Sequence, residues 1–598
     1  MRELECDVLV IGGGPTGMVA ALALARQGVS TIVLERQRGP QPHPKAHEVS
    51  GRTLEILAAL GVPYGDLAAA AADDADASRI LFCEALGREF GGIDLRTLPG
   101  ADKYRAHLAT PTGYLNLSQV DLERILARHV AAARIDVRHG HTWRALVDDG
   151  DAVVSEAHDE AGSPLKIRSR YVIAADGASS RVRAALGVRM IGPDKLQDFV
   201  SAAFDADLSR HVTTRGKIYF VYNPRAPGVL IAHHIERRWV YHALVATPHE
   251  RSEDLDEAAL RTRIREAVGD PELPLTITST SPWRMTAQVA ERLRVGRVFL
   301  AGDAAHRFPP TGGLGMNSGV ADAHNLAWKL AAVLHGRAGD RLLDTYEVER
   351  RPVVQALCDE SRANFERMDE ILGALGVDPG AHQAIARHFA GRPLALLPAR
   401  LRAWLRGQVN RLALARVRRH RRRPELARRL RAAVDRQIPH FDRLGLDLGL
   451  AYERGALIAD GTPPPPPPAD PVRTYHPTTR PGARFPHFWL DAVARRSSHA
   501  LLDDRRATLL LGAACELTPD ERADLEAAAL RLGAQLRPLA DADISLPHVA
   551  AVHRHAELDP DGALLVRPDG HVAWRQRAGV RPSAALLESI LTEALAGA

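Results

Sequence analysis

The amino-acid sequence predicts an α/β fold, and three observations lead to that prediction. Residues 7–11 form a short apolar, β-branched run that is typical of a buried strand, and a glycine-rich turn follows at once. An alanine- and leucine-rich helix comes next, and a second apolar strand follows it at residues 31–35. The chain has 598 residues, of which 45% are hydrophobic and 25% charged, so it can bury a core in several domains.

The alternation of strands and helices continues along the chain. Apolar runs predict buried strands at residues 171–175 and 298–301, and helical periodicity predicts helices at residues 119–133 and 316–334. Residues 190–290 are rich in strands of alternating polarity.

A proline run separates the last part of the chain from the rest. Six consecutive prolines at residues 463–468 predict a stiff, extended spacer. Residues 498–584, beyond this run, again alternate strands and helices. We therefore expect a separate C-terminal domain.

The first turn carries a motif in which each residue has a physical task. In Gly12-x-Gly14-x-x-Gly17, the first glycine permits a tight turn, the second lets the backbone approach a pyrophosphate, and the third allows close contact between helix and strand. The next helix presents free amide donors to the phosphates. Glu35 ends the second strand, where its carboxylate can accept hydrogen bonds from a ribose diol. The segment predicts a Rossmann-like dinucleotide domain without choosing between NAD and FAD.

A second set of anchoring residues follows another predicted strand. Gly302 and Asp303 end that strand, and the Asp303 carboxylate can bond sugar-alcohol hydroxyls. Residues 309–317 form a glycine-rich turn that opens a long helix, which is a second backbone site for an anion. Asp176 and Gly177 also follow a predicted strand. Anchors this far apart in sequence suit one long ligand held at both ends.

With these motifs, the sequence resembles the FAD-dependent aromatic hydroxylases, the single-component (class A) flavoprotein monooxygenases. It looks most like the phenol and chlorophenol hydroxylase branch, and the resemblance covers most of the chain. Besides the motifs above, it rests on residues 52–57 (RTLEIL), 117–119 (LSQ), 322–330 (DAHNLAWKL), 346–352 (YEVERRP), 480–487 (RPGARFPH) and 566–570 (VRPDG).

The resemblance implies non-covalent FAD, with NADPH or NADH as co-substrate and no metal. Arg52 and Gln119 would lie beside the pyrophosphate and ribityl region, and Asp303 would bond the ribityl chain. The Asp176 motif is implicated in both FAD and NAD(P)H binding. The residues expected to bind the cofactor are Gly12, Gly14, Pro15, Thr16, Gly17, Glu35, Arg36, Arg52, Gln119, Asp176, Gly177, Gly302, Asp303, Pro310, Gly312, Gly315, Met316 and Asn317.

The resemblance also implies how the chain is divided. A Rossmann-like FAD-binding domain would contain an inserted mixed β-sheet substrate domain, and a C-terminal thioredoxin-like domain would follow. Cys515 stands alone, so that last domain lacks the CxxC motif of disulfide chemistry. The expected segments are FAD-binding (1–78), substrate (79–115), FAD-binding (116–187), substrate (188–289), FAD-binding (290–365), helical connecting region (366–460), proline-rich linker (461–475) and thioredoxin-like domain (476–598).

The implied function is hydroxylation of a phenolic aromatic substrate with O₂. In this family NAD(P)H reduces the flavin, and a flavin C4a-hydroperoxide then transfers oxygen to the ring. A phenol reacts more readily as phenolate, because the charge spreads into the ortho and para carbons, so a general base helps. The alternative is Baeyer–Villiger or epoxidation chemistry on a larger polycyclic substrate, since the fold does not decide the reaction.

His47 is the candidate general base, because the resemblance places a polar active-site group near this position and an imidazole titrates near neutral pH. The other interpretation is that His47 packs or binds FAD. Tyr219 and His234, in the strand-rich middle region, are further catalytic candidates, and the same region offers candidates for the pocket wall at Tyr222, Tyr241 and Trp283.

Other classes of function are disfavoured. Four isolated cysteines provide no redox pair or metal motif, and no two tryptophans lie close enough for the Trp-x-Trp motif of flavin-dependent halogenases. Residues 401–431 contain twelve arginines and one acid, which would suit nucleic acid or an anionic membrane. A solvated helix face in an arginine- and alanine-rich chain is the preferred interpretation. Apolar residues recur near helical spacing, which predicts that the opposite face is packed, at Leu401, Trp404, Leu405, Val409, Leu412 and Leu414.

We expect no nucleic-acid or membrane partner. There is no signal-peptide pattern and no run of 18 apolar residues, so a cytoplasmic enzyme is expected. The family resemblance further implies a homodimer.

Asp303 provides a first test of the cofactor assignment. Asp303→Ala removes a charge-assisted hydrogen-bond acceptor, so we expect FAD to bind about 10- to 100-fold more weakly. Flavin absorbance after dialysis of the purified protein measures this. A variant that retains its full flavin absorbance would contradict the assignment.

Overall fold

The computed structural model describes residues 2–39, 46–98, 109–245, 250–375, 415, 424–491, 496–539 and 546–596. Within these residues the strands are β1 (Arg2–Ile11), β2 (Thr31–Glu35), β3 (Glu48–Val49), β4 (Arg79–Cys83), β5 (Glu89–Asp94), β6 (Leu115–Asn116), β7 (Asp136–His139), β8 (Thr142–Asp148), β9 (Val153–His158), β10 (Pro164–Ala174), β11 (Met190–Ile191), β12 (Gln197–Asp205), β13 (Ile218–Val221), β14 (Gly228–His234), β15 (Arg238–Leu244), β16 (Thr276–Met285), β17 (Gln288–Ala290), β18 (Arg294–Val295), β19 (Val298–Leu300), β20 (His306–Arg307), β21 (Ala507–Leu511), β22 (Ala534–Pro538), β23 (Ala563–Val566) and β24 (Val572–Gln576).

The helices of the described residues connect and cover these strands. They are α1 (Pro15–Arg26), α2 (Gly51–Ala59), α3 (Tyr64–Ala68), α4 (Asp74–Ala77), α5 (Gln119–Ala132), α6 (Arg181–Ala185), α7 (Glu257–Val268), α8 (Gly315–Leu334), α9 (Asp344–Arg367), α10 (Asp369–Ala374), α11 (Pro424–Asp435), α12 (Ile438–Phe441), α13 (Leu444–Leu448), α14 (Pro519–Arg531), α15 (Leu546–His555) and α16 (Ala584–Ala596).

The first sheet has the order β18-β19-β10-β1-β2-β7, with the β8–β9 hairpin attached to β10. Neighbouring strands from β19 to β7 are parallel, so the sheet needs helices on its faces. The central residues Val8, Leu9 and Val10 are fully buried, as their continuous apolar run predicts. α1 and α8 pack together in the same core. The predicted α/β fold with a Rossmann-like domain is confirmed.

The second sheet forms a mixed layer with the order β16-β12-β15-β14-β13-β4-β5. Its pairs are antiparallel except for β13–β4, and β4 and β5 come from an earlier part of the chain than the other strands. Alternate residues of β12 have different environments. Val200, Ala202 and Phe204 pack into the core that includes α7, whereas Phe199 and Ser201 face a large cavity.

The C-terminal part contains a four-stranded mixed sheet with the order β22-β21-β23-β24. β21 and β22 are parallel, and the other two pairs are antiparallel. α14 and α16 pack together against this sheet in a separate apolar core. Cys515, like the other three cysteines, is a free thiol.

A buried ion cluster joins the C-terminal part to α8 and α9. Arg567 donates from both Nη atoms to the two carboxylate oxygens of Glu349, at 2.8 and 2.9 Å, and Lys329 Nζ lies 2.7 Å from Glu349 Oε2. Arg567 also binds Asp569 through Nε at 3.0 Å. Burial alone would raise the pKa of Glu349, but the charges of Arg567 and Lys329 outweigh it and lower the pKa to about 2. These charges are tolerated because each one is paired.

Part of the predicted connecting region lies outside the described residues. Of the arginine-rich segment 401–431, only residues 415 and 424–431 are described. Within α11, Leu430 is buried against the second sheet, while Arg429 is exposed and binds Glu425 at 2.9 Å. The proline run at 463–468 forms no helix or strand. None of the helices in the described part of the chain is long and apolar enough to span a bilayer.

The ion cluster leads to a prediction about stability. Arg567→Met leaves Glu349 and Asp569 with fewer compensating charges, so we expect the free energy of unfolding to fall by about 3–5 kcal/mol. The matched control is Arg429→Met, which breaks an exposed pair and should cost below about 0.5 kcal/mol. Urea unfolding followed by fluorescence measures both. Equal losses in the two variants would show that the cluster does not stabilise the domain contact.

Candidate active site

Two helix N-termini open toward one cavity. α1 follows Gly14 and α8 follows Leu314, and in neither case does a side chain cap the first-turn amides. By contrast, the hydroxyls of Ser50 and Ser118 cap α2 and α5. The first-turn N–H groups of α1 and α8 are therefore left for a ligand, and both helices present the positive ends of their dipoles to it.

The glycines of the first turn divide into two kinds. Gly12 has φ of +109°, and a Cβ there would lie 2.2 Å from the Ala175 carbonyl oxygen. A Cβ on Gly17 would lie 1.9 Å from the Gly12 carbonyl oxygen. These two positions require glycine for close approach of the backbone. A Cβ on Gly14 or Gly315 would meet no atom within 4 Å, so these glycines leave space for a ligand instead.

Glu35 lies at the end of β2 and lines the cavity. Its Oε2 accepts the N–H of Gly13 at 2.6 Å, and its Oε1 accepts the N–H of Gln37 at 2.7 Å. The carboxylate therefore holds the glycine turn in place at the edge where a ribose would lie. Arg36 is exposed and lines the same edge.

The Gly302–Asp303 turn is anchored from α8. Gly302 has φ of +61° and packs on the Thr16 hydroxyl, where a Cβ would lie 2.6 Å from Oγ1. The Gly302 N–H donates to Asp322 Oδ2 at 3.1 Å. This arrangement leaves Asp303 exposed and lining the cavity.

Asp322 is itself part of a fully buried polar group. Its Oδ2 lies 2.6 Å from His306 Nε2, and its Oδ1 accepts from Arg350 Nε at 2.8 Å. Burial would raise the pKa of Asp322, but the charges of His306 and Arg350 lower it to about 2. Asp322 therefore stays ionised and keeps the turn fixed. Asp322 is the first residue of the motif at 322–330, but sequence reasoning assigned it no role.

Two more predicted residues converge on the cavity. Asp176 Oδ2 accepts the N–H groups of Arg181 and Val182 at the start of α6, whereas its Oδ1 is buried with no hydrogen-bond partner in the described structure. Gln119 begins α5, and its Nε2 donates to Glu123 Oε1 at 2.8 Å. An unsatisfied carboxylate oxygen in a cavity wall indicates a place for a ligand donor.

The cavity has a volume of about 2210 Å³. Ordinary small-molecule pockets have about 300–1,000 Å³, so this cavity holds more than one ligand of that size. The predicted residues that line it are Gly12, Gly14, Pro15, Thr16, Glu35, Arg36, His47, Gln119, Asp176, Gly177, Tyr222, Trp283, Asp303, Pro310, Gly312, Gly315 and Met316.

Arg52 and Asn317, which were expected beside the cofactor, are not among the residues that line the cavity. Arg52 donates to the Asp569 carbonyl oxygen at 2.6 Å and lies at the contact with the C-terminal part. Asn317 is buried and uses both ends of its amide, because it donates to the Glu48 carbonyl at 3.0 Å and accepts from Thr53 Oγ1 at 2.7 Å. It therefore ties α8 to the segment that carries His47. Gly17 and Gly302 are likewise structural.

Three candidates from the middle sheet are also placed elsewhere. Tyr219 and Tyr241 are fully buried in the core on the opposite face of the sheet, and the Tyr219 hydroxyl donates to the Thr214 carbonyl at 3.0 Å. His234 ends β14 and lies 3.0 Å from Glu236. These side chains do not reach the cavity, because period-two alternation sends them to the other face or to the strand end.

Around Trp283, which was a candidate for the pocket wall, the second sheet adds wall residues that sequence reasoning missed. Trp283 stacks on Phe199 with ring centroids 4.5 Å apart, and its Nε1 donates to Ser201 Oγ at 2.8 Å. Ser201 Oγ is also 2.5 Å from His242 Nδ1. The alternation of residues along β12 could have indicated that Phe199 and Ser201 lie on the same face of the sheet. It could not have indicated that this face lines the cavity. The helical segment α12 adds His440 and Phe441 to the wall.

The comparisons with known proteins agree with this geometry. A family model described as FAD binding domain matches residues 5–361, and a model described as Aromatic-ring hydroxylase, C-terminal, matches residues 478–598. The chain belongs to the FAD-dependent aromatic-ring hydroxylases. It is a flavoprotein monooxygenase, as the resemblance to phenol and chlorophenol hydroxylases implied.

Two curated relatives and one solved structure show how similar this chain is to named enzymes. The chain is 32% identical to 2,4-dichlorophenol 6-monooxygenase of Cupriavidus pinatubonensis, over 96% of this chain and 93% of the relative. It is 33% identical to aklavinone 12-hydroxylase RdmE of Streptomyces purpurascens over the full length of both. The solved structure of the flavin-dependent monooxygenase PieE with FAD and substrate superposes with a TM-score of 0.84, at 33% identity and full coverage of both chains.

The residues of this hydroxylase fit FAD. Two uncapped helix N-termini and the open space beside Gly14 and Gly315 provide backbone donors for a ligand with two separated anionic or polar ends. Asp303 and Glu35 supply carboxylate acceptors for hydroxyls between and beside these ends.

The two kinds of glycine lead to a matched pair of variants. Gly14→Ala places a methyl group in the ligand space, so we expect FAD to bind at least about tenfold more weakly while the apoprotein keeps its melting temperature. Gly17→Ala would collide with the Gly12 carbonyl and should destabilise the apoprotein itself by about 1–3 kcal/mol. Calorimetric FAD titration and thermal unfolding of apoprotein separate the two effects. Unchanged FAD affinity in Gly14→Ala would rule out ligand binding at this turn.

Proposed function

We propose that this enzyme hydroxylates a phenolic aromatic substrate, with FAD as cofactor, NADPH or NADH as reductant and O₂ as oxidant. The main observation behind the proposal is that a single cavity contains both parts of the site. One cavity joins the glycine turns that fit FAD to an apolar wall on the second sheet. When bound, FAD supplies the exchange of electrons with the nicotinamide and with oxygen. The names of the relatives, which include a dichlorophenol monooxygenase and an aklavinone hydroxylase, support a phenolic substrate.

His47 is the proposed general base. It lines the cavity, and its Nδ1 is 2.7 Å from Asn116 Oδ1. Because an amide oxygen only accepts hydrogen bonds, Nδ1 carries the proton in this arrangement. In the neutral ring, Nε2 then has the lone pair that can take a proton from a substrate hydroxyl. Asn317 supports this placement, since it binds the backbone of the neighbouring residue Glu48.

The second sheet provides the wall against which the substrate ring would lie. The wall residues come from five adjacent strands, β16, β12, β15, β14 and β13, which together span about 19 Å at strand spacing of about 4.8 Å. This span favours a substrate of several rings. Baeyer–Villiger or epoxidation chemistry on such a substrate is the alternative reaction, and NMR of the product distinguishes a lactone or epoxide from a phenol.

We also propose the domain boundaries given above, a homodimer, a cytoplasmic location and a thioredoxin-like C-terminal domain. The four-stranded mixed sheet with α14 and α16 supports the last of these. The isolated, partly buried Cys515 supports a structural role for that domain, since burial raises the pKa of its thiol.

The test of the function uses the purified, flavin-loaded enzyme and a panel of phenols with one to four rings. We expect phenols to stimulate O₂-dependent NADPH consumption. His47→Ala should lower kcat by about 100-fold or more and remove the acidic limb of the pH–rate profile. Flavin content is the control for folding. The hydroxylase proposal fails if no phenol stimulates consumption, and the base assignment fails if His47→Ala keeps the rate and the profile.

A further inference from the structure

One lobe of the cavity is lined by aromatic and aliphatic side chains from three distant parts of the chain. We define this aromatic lobe by Phe220 and Tyr222 from the end of β13, Met368 from the end of α9, and His440 and Phe441 from α12. Phe220 lies 6.1 Å from Phe441 and 6.4 Å from His440 between ring centroids. The aromatic lobe is therefore a packed apolar wall with one imidazole in it.

One nitrogen of the His440 imidazole has no hydrogen-bond partner in the described part of the chain. His440 is 3% exposed and stacks on Phe441 with ring centroids 4.0 Å apart. Its Nδ1 is buried and has no hydrogen-bond partner among the described residues. Native proteins leave few buried polar atoms unpaired, and the His440 side chain lines the cavity, so a bound ligand is a candidate for the missing partner.

The surroundings of His440 keep the ring neutral. Burial is the main cause that lowers its pKa, to about 3, and the charges of Arg443, Arg367 and Lys217 act in the same direction. The charge of Glu48 acts to raise the pKa of His440, but Glu48 is itself paired with Arg443 at 3.0 Å and with Lys217 at 3.4 Å. A neutral imidazole has one donor and one acceptor nitrogen. It therefore matches a hydroxyl group, which can also donate and accept, rather than a carboxylate.

We propose that His440 is a specificity-determining residue, which hydrogen-bonds a ring hydroxyl of the substrate and so orients the ring in the aromatic lobe. This inference rests on the proposed phenol hydroxylation and adds a residue to it. A ring that resists protonation binds the hydroxyl without removing its proton, so His440 and His47 have separate tasks. Sequence reasoning offered no signal for His440, because α12 follows the arginine-rich segment and lies far from every motif.

The test measures selectivity for a hydroxyl by calorimetry. Flavin-loaded enzyme without reductant is titrated with 2-naphthol and with naphthalene, and the ratio of the two Kd values is compared between variants. We expect the wild-type enzyme to bind 2-naphthol more tightly, and His440→Phe to reduce this preference by about threefold to tenfold. His440→Gln, which keeps a donor and an acceptor, should restore part of it.

Phe441→Leu is the matched control, because it changes the same wall without removing a polar atom. It should weaken binding of both ligands to a similar extent and so keep the ratio of the two Kd values near that of the wild-type enzyme. His440→Met replaces His440→Phe if the latter does not retain flavin or its melting temperature. The assignment is overturned if folded His440→Phe, or His440→Met in its place, keeps the full preference for 2-naphthol over naphthalene. It is also overturned if the wild-type enzyme shows no such preference. Failure of the hydroxylase proposal is seen separately, as absence of phenol-stimulated NADPH consumption.

Discussion

Backbone amides at the start of α1 and α8 impose the main constraint on this structure, because they are left without side-chain caps and face the same cavity. Such groups are costly when buried without a partner, so the surrounding elements must hold them where a ligand can satisfy them. The parallel first sheet places the glycine turn after β1 beside Ala175 at the end of β10. Asp322 then fixes the Gly302 turn from within α8. The cofactor site is thus a property of backbone geometry supported by one buried carboxylate.

The contact with the C-terminal part follows a different principle. Glu349, Lys329, Arg567 and Asp569 are all buried, and removing charges from water is costly unless they are paired. Their directional pairing allows one relative placement of α9 and the segment around Arg567. Arg52 belongs to this contact as well, since it reaches the Asp569 carbonyl. In this structure Arg52 therefore contributes to the contact between α2 and the C-terminal part.

Polar groups and aromatic side chains line different ends of the cavity. Carboxylates and helix N-termini occupy the cofactor end, whereas aromatic side chains from the second sheet and α12 occupy the other. In the apolar part a single polar atom has a large effect, because water does not compete for its hydrogen bond. The Ser201–His242–Trp283 group and His440 are polar features of that wall, and under our proposal His440 would favour a substrate with a hydroxyl beside it.

The amino-acid sequence by itself determined the Rossmann-like unit and the glycine positions, because tight turns and helix starts depend on residues that are neighbours in the chain. Gly12 and Gly17 could be predicted for this reason. The choice of FAD over NAD came from the family resemblance of the longer motifs. The tertiary structure alone decided which side chains enter the cavity. Tyr219 and Tyr222 lie near each other in one strand region, yet only Tyr222 lines the cavity, since the packed face of a sheet is chosen by the layers that cover it. His440 reaches the same wall through contacts between segments more than 200 residues apart, which no local pattern encodes.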